Sequence, residues 1–464
     1  MASASEAHLL VIPFPSHGHM LPLLDICRLL ATRGSLSITI VITPGNLPIL
    51  SPLLDASPTI TPLVLPFPPT PALPPHAENT HQLPRHLFRH LLFALSALLN
   101  PILLWCRTNP NPPVAILSDY FTSGWTLPLA RALSVPRLCF SPSPAFFFSA
   151  VQHLWRLMPP RDDPNLIVRF PSLPGSPTFP LAHLSNLFRS YVEGDLVSEF
   201  LKDNFLSDAQ SWGLVVNTFS ELEGEYLDFL RAETRCDRVW AVGPLAAVAV
   251  KRRWGFTEKE ELMAWLDNCE EGSVVYVCFG SQAMLSEAQA VAIAGALARS
   301  GVRFLWCVRE GTVVPGGTDG RGKVVIGWAP QMELLRHAAV GWFLTHCGWN
   351  SVSEAISAGV AMLTWPMGAD QFFVARLVEA AEVGLRVCEG AAAVPEVQEL
   401  ARALAATVGG GEREQKVRWR AAELRRVARD AVEEGGSSFM DLGRLIAELR
   451  KMKETKKTTA AEMK

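Results

Sequence analysis

Along this 464-residue chain, short apolar runs of strand length alternate with stretches whose apolar residues recur at helical spacing, and no other feature restricts its fold as tightly. The pattern starts at once. His8 to Phe14 is a buried-strand run, Met20 to Thr32 has helical spacing and stops at Gly34, and Leu36 to Thr43 is a β-branched strand. Together they make one parallel crossover unit. The second half repeats the pattern, predicting strands over Ser273–Phe279, Arg303–Val308, Val324–Ile326, Val340–Thr345 and Ala361–Trp365. Helices are predicted over Glu287–Arg299, Asn350–Ala358 and Gln371–Val383. Alternation sustained over this length predicts two doubly wound α/β domains rather than one oversized sheet.

The two halves differ in their breakers: 30 of 35 prolines lie before residue 181 and 27 of 32 glycines after it. The stretch from Pro44 to Pro75 therefore reads as long loops rather than helix or central strand. A boundary falls near Val242-Gly243-Pro244, and the basic Lys251-Arg252-Arg253 precedes a new helix. This gives an N-terminal domain over 1–245, a linker over 246–258 and a C-terminal domain over 259–464. The last domain ends in a charged helical tail, Arg413 to Met452, interrupted at Gly435-Gly436 and available to pack back on the first.

With 49% hydrophobic and 19% charged residues the chain is globular, and a net charge of −3 points away from nucleic acid. Nine cysteines without a C-x-x-C pair, and no N-x-[ST] sequon, fit free thiols in a reducing compartment. The N-terminus lacks the basic region of a signal peptide. The longest apolar stretch, Leu91 to Cys106, is broken by Asn100-Pro101 and reads as too short to span a bilayer. A cytoplasmic protein without membrane insertion is the expectation.

Two common nucleotide signatures are missing. Gly317-Thr318-Asp319-Gly320-Arg321-Gly322-Lys323 has P-loop spacing, but Val324 replaces the magnesium-ligating hydroxyl and a strand follows instead of a helix. After the first strand the turn is Pro13-Phe14-Pro15-Ser16-His17-Gly18-His19, which is no dinucleotide fingerprint. It does put His19 at a helix start beyond the carboxyl end of a parallel strand, where open α/β sheets bind ligands. The run Val114 to Asp119 ends a second strand in a carboxylate. Alone, His19 reads more readily as a capping or exposed histidine and Asp119 equally as a helix cap; together they suggest a His-Asp dyad in which Asp119 orients His19 for proton abstraction. His17 reads as a capping or exposed histidine.

The densest segment is Trp328 to Gln371, WAPQMELLRHAAVGWFLTHCGWNSVSEAISAGVAMLTWPMGADQ. It closely resembles the C-terminal signature of the plant UDP-dependent glycosyltransferases of secondary metabolism. The resemblance extends over the chain through PFPSHGH, ILSD, GLVVNTFSELE, AVGPL, VVYVCFGS and RDAVEEGGSS. It implies the GT-B fold, two facing Rossmann-like domains with an interdomain cleft. Within the motif it implies that Trp328 stacks uracil, and that Ala329 and Gln331 read base and ribose. His346, Gly348, Asn350 and Ser351 would face the pyrophosphate from a helix N-terminus, Ser281 adding a contact from a second strand end. Glu354 would hold the ribose, Asp370 and Gln371 the sugar, and Trp349 would line the sugar site. Near Phe140 the resemblance implies a donor contact that Ser141, Ser143 or neither would make. Phe121, Trp125, Phe146, Phe147 and Phe148 are candidates for a flat acceptor pocket, each equally readable as core.

The function this implies is inverting, metal-independent transfer from UDP-glucose to a small hydroxylated acceptor, phenolic or flavonoid, with no cofactor and a monomer as the expected state. His19 would be the base. Glucose rests on Gln371, since relatives using galactose or rhamnose often carry His there. The alternatives are another UDP-sugar, galactose, rhamnose or xylose, and a catalytically silent nucleotide-sugar or small-molecule binding protein on the same fold.

Overall fold

The structure is a computed structural model describing residues 7–249, 259–314 and 320–462. The basic stretch 251–253, most of the expected linker and residues 317–319 of the glycine-rich segment lie outside the described residues. The chain forms two compact units. Met1–Phe179, Leu187–Val250 and Ala431–Lys464 make the first, Pro180–Asn186 and Lys251–Asp430 the second.

The first unit contains strands β1 (His8–Ile12), β2 (Ser37–Ile42), β3 (Ile60–Val64), β4 (Ala115–Asp119) and β5 (Arg137–Ser141). A short pair, β6 (Ile167–Arg169) and β7 (Thr178–Pro180), follows, then β8 (Gly213–Val216) and β9 (Val239–Ala241). Seven of these make one sheet in the order β3-β2-β1-β4-β5-β8-β9, every pair parallel. The central strands are buried and mostly apolar because helices cover both faces of a parallel sheet. β1, β4 and β5 are buried at every residue, whereas β3, at the edge, is mostly solvated and tolerates Pro62.

The second unit holds β10 (Val274–Cys278), β11 (Arg303–Val308), β12 (Gly322–Ile326), β13 (Val340–Thr345), β14 (Ala361–Thr364) and β15 (Gly384–Arg386). Their order is β12-β11-β10-β13-β14-β15, again all parallel. In both sheets the order reverses beside the first strand, at β1/β4 and β10/β13. Ligands of open α/β sheets bind at such points.

Two expectations need correction. Pro44 to Pro75 is not all loop: Leu47–Ala56 is a helix, with Pro48 in its first turn, where the lost N–H has no intrahelical partner anyway, and Leu50 and Leu53 buried. Likewise Asn100-Pro101 does not interrupt the apolar stretch. Pro101 sits in the first turn of the helix Leu99–Thr108, and Arg85–Thr108 runs as 24 helical residues with a mean hydropathy of 1.7 over an 18-residue stretch, long and apolar enough by composition to cross a membrane. One face of it, with Leu91, Leu95, Leu98 and Ile102, is buried in the first unit.

The C-terminal helix Ser437–Glu462 belongs to the first unit. Leu442, Leu445, Ile446 and Leu449 enter the core around β1 and β2, the Ala241 N–H donates to Asp441 Oδ2 at 2.9 Å, and the Ser438 hydroxyl donates to the Gly243 carbonyl.

Beneath β5 lies a buried polar cluster. Arg137 donates to Ser123 Oγ (2.7 Å) and to the Ser207 carbonyl (2.6 Å), and the Cys139 thiol donates to Asp208 Oδ1 (3.3 Å). Burial pushes the Asp208 carboxyl up to about 7, against the opposing pull of Ser123 and Arg137. Because the folded state holds this proton more tightly than the unfolded chain does, the associated stability is complete below pH 3.8 and is lost as pH rises to about 7. Asp208→Asn cannot titrate. Its Tm relative to wild type should therefore be more favourable at pH 8 than at pH 5; a pH-independent difference would show that Asp208 is ionised throughout.

Candidate active site

In the first unit, β1 ends at Ile12 and the chain enters the helix His17–Gly34 through Ser16, whose extended backbone (φ −138°, ψ 135°) starts the first turn. β4 lies beside β1 with Ser118 opposite Ile12, so Asp119 reaches the same turn. His19 Nδ1 stands 2.9 Å from Asp119 Oδ2 and 3.1 Å from Oδ1. Asp119 is wholly buried and also accepts the Phe121 N–H at 2.9 Å. With the carboxylate as acceptor, the proton of a neutral His19 is assigned to Nδ1 and the lone pair to Nε2. Phe121 stacks on the imidazole (4.7 Å, 17°), Tyr120 lies against it (5.4 Å, 29°) and Phe14 meets it edge-on (5.2 Å, 79°). His17 points elsewhere, stacking on His81.

The five acceptor candidates separate. Phe121 is brought to His19, and Phe148 meets Tyr120 edge-on one ring further back. Trp125 is buried and lines a small cavity of about 20 Å³ with Pro13, Pro15 and Met20. Phe146 and Phe147 are buried, and Phe146 stacks on Tyr226 (4.6 Å) rather than joining the His19 cluster. Ser141 donates its hydroxyl to the Ser143 carbonyl at 2.9 Å, inside the turn that carries both. The helix after that turn is held by Glu223, which accepts the Ala145 and Phe146 N–H groups at 2.8 Å each and is pushed up to about 7 by burial. Sequence reasoning gave Glu223 no role.

In the second unit the loops after β10 and β13 are neighbours, because those strands pair. His346 fits between two glycines: a Cβ on Gly280 would lie 2.7 Å from its ring and one on Gly348 2.6 Å from Nε2. Gly280 also has φ +73°, which disfavours any side chain. Gly348 caps the helix Trp349–Ala358 without a side chain, so backbone N–H groups, Asn350 and Ser351 form the helix's positive end. Ser281 follows Gly280 and is exposed. Trp328, past the end of β12, is 47% exposed and is therefore not a core tryptophan, whereas Trp349 and Ala329 are buried.

Gln331 ties this region together. Its amide donates to Glu354 Oε2 (2.8 Å) and Ser351 Oγ (3.0 Å), and its carbonyl accepts from Tyr276 Oη (3.3 Å). Tyr276 is a residue the sequence shows only as part of an apolar strand. Asp370 and Gln371 start the helix Gln371–Ala380. The Gln371 carbonyl accepts both the Met367 N–H (2.8 Å) and the Gly368 N–H (2.9 Å). A second unforeseen residue is His183, from the segment Pro180–Asn186: it stacks on Phe372 at 3.9 Å and 5°, with Nε2 3.3 Å from Glu389.

Gln371 thus anchors the loop before its helix. Removing its carbonyl in Gln371→Ala should speed amide exchange at Met367 and Gly368 by about tenfold or more, roughly the worth of a lost hydrogen bond, while Gln371→Glu should preserve protection. Equal protection in both variants would show that the loop stands without it.

The family model described as UDP-glucoronosyl and UDP-glucosyl transferase matches residues 256–411. A flavonol 3-O-glucosyltransferase of Arabidopsis thaliana is 48% identical over 94% of this chain and 95% of its own length. Among solved structures, Arabidopsis thaliana UGT89C1 complexed with UDP-L-rhamnose matches at TM-score 0.80 and 35% identity, over 96% of this chain and 100% of that one. Its quercetin complex matches at TM-score 0.79 and 34% identity, with the same coverage. The two parallel α/β units are those of the GT-B fold, and the chain belongs to the plant family of UDP-dependent glycosyltransferases.

Proposed function

We propose that this UDP-glycosyltransferase is an inverting, metal-independent glucosyltransferase that uses UDP-glucose to form β-O-glucosides of a flavonoid or related phenol. The observation that carries the reading is the His19–Asp119 contact at 2.9 Å, with the second ring nitrogen left for a substrate proton. The acceptor class is supported by the name of the 48% identical relative and by the quercetin bound to the solved one. Glucose is supported by that same name and by the glutamine at Gln371. Nine free cysteines suit reaction in a reducing cytoplasm.

In this reading the acceptor hydroxyl gives its proton to His19 Nε2 while its oxygen attacks the anomeric carbon. One carbon–oxygen bond forms as the bond to the β-phosphate breaks, and UDP leaves with the electron pair. Asp119 stabilises the imidazolium; Phe121 and Tyr120 hold the ring in plane. The helix N-terminus at Gly348–Ser351 and His346 meet the charge that develops on the leaving diphosphate. Attack opposite the leaving group converts the α-linked donor into a β-glucoside.

His19→Ala should lower kcat on a weakly acidic alcohol by about 10²–10⁴, the usual worth of a general base, with UDP affinity nearly unchanged. Asp119→Asn should lower kcat in the same direction and His17→Ala far less. A His19→Ala enzyme turning over such an acceptor at near wild-type rate would sink the base assignment. Turnover is also expected to survive EDTA, because in this reading backbone N–H groups and His346 take the diphosphate's charge; activity lost to chelation and restored by magnesium would overturn the metal-independent step.

A further inference from the structure

Two aromatic rings that set the plane of His19, Tyr120 and Phe121, sit on a short turn between β4 and the helix Ser123–Leu133. The three-residue turn Tyr120–Thr122 is closed from within by the Phe121 N–H on Asp119 and by the Thr122 hydroxyl, which donates to the Asp119 carbonyl at 2.9 Å. From outside, a buried side chain on another helix ties it down. Asn204, on the helix Leu196–Ser207, is wholly buried, and its side chain bonds both ends of the turn. Nδ2 donates to the Tyr120 carbonyl at 2.9 Å, and Oδ1 accepts the Gly124 N–H at 2.8 Å.

The fit is close. A Cβ on Gly124 would lie 2.8 Å from Asn204 Cα, so the turn meets the helix backbone to backbone and only glycine is accommodated. The neighbouring Phe205 supports the same turn, edge-on to Phe121 at 5.7 Å and tilted against Tyr120 at 6.2 Å. Phe205 is itself backed by Trp155, stacked at 5.0 Å and 14°. The chemistry requires an asparagine: one end must donate and the other accept, which leucine cannot do at all and an ionised aspartate can do only at the Gly124 end.

We infer that Asn204 is a positioning residue for glycosyl transfer: by pinning Tyr120 and Gly124 it fixes the Asp119–Phe121 turn and thereby the plane of the His19 ring. The inference rests on His19 acting as the base. Asn204 reaches no substrate; it acts through the aromatic wall and the Phe121 N–H that Asp119 accepts. Its loss should be felt where proton removal limits the reaction, and not in donor binding.

The test uses the full-length enzyme as Asn204→Leu and Asn204→Asp, with His19→Ala alongside. Each is assayed with UDP-glucose against one strongly acidic phenol and one aliphatic alcohol, and the His19 imidazole is followed by NMR on 15N-histidine-labelled protein. For Asn204→Leu the expectation is a fall of roughly tenfold to a hundredfold in kcat on the alcohol, less than about threefold on the acidic phenol, a KM for UDP-glucose within about twofold, and a shifted His19 signal. Asn204→Asp, which keeps the bond to Gly124, should fall between Leu and wild type and serves if the leucine variant does not fold. Equal losses on both acceptors, or a parallel rise in the KM for UDP-glucose, would reduce Asn204 to a structural role. Full alcohol activity in folded Asn204 variants, with His19→Ala inactive, defeats the positioning inference alone. Activity in His19→Ala defeats the base reading, and this inference with it.

Discussion

A carboxylate shut away from water must be given donors by the protein, and at Asp119 those donors arrange everything around it. One is the Phe121 N–H two residues on, the other His19 Nδ1, one hundred residues away in sequence. The first folds the chain into the turn that carries Tyr120 and Phe121. The second fixes the imidazole's orientation and tautomer. Because β1 and β4 are parallel neighbours, both groups emerge at the same end of the sheet, and the short strands that follow have only to bury themselves. The dyad is thus a product of strand order more than of local sequence.

The second unit solves a different problem with the same topology. In the proposed reaction a leaving diphosphate would need positive potential without a bulky cap, and the helix Trp349–Ala358 starts behind Gly348, which has no side chain. The glycines at 280 and 348 serve less as flexible points than as space for the His346 ring. Around them, Tyr276, Gln331, Ser351 and Glu354 form a chain of hydrogen bonds that places a carboxylate before any ligand arrives. Preorganisation of this kind spares a binding event the ordering of side chains.

The alternation of apolar runs made the fold legible, and β11 and β13 fall on the predicted residues, because buried parallel strands need uninterrupted apolar sequence. His19 and Asp119 were legible as strand-end residues, and their contact followed from adjacency. Other features were hidden by the sequence's own ambiguities. Pro48 and Pro101 look like breakers and sit instead in first turns, where a missing N–H costs little. Phe146 and Phe121 are the same residue type; only the packing partner, Tyr226 or His19, separates core from site. Asn204 and His183 lie in no motif, and Tyr276 lies in one that names no role for it, since each acts on a segment distant in sequence.

The return of the C-terminal helix to the first unit has a consequence for synthesis. Leu442, Leu445, Ile446 and Leu449 complete a core begun at Leu9 and Val11, so a ribosome must finish almost the whole chain before the earliest strands are fully covered. The second unit, contained within Lys251–Asp430 apart from one short segment, can close its sheet sooner. The half made first is the half sealed last, and nascent chains should therefore expose apolar surface near β1 and β2 to chaperones until the final helix docks.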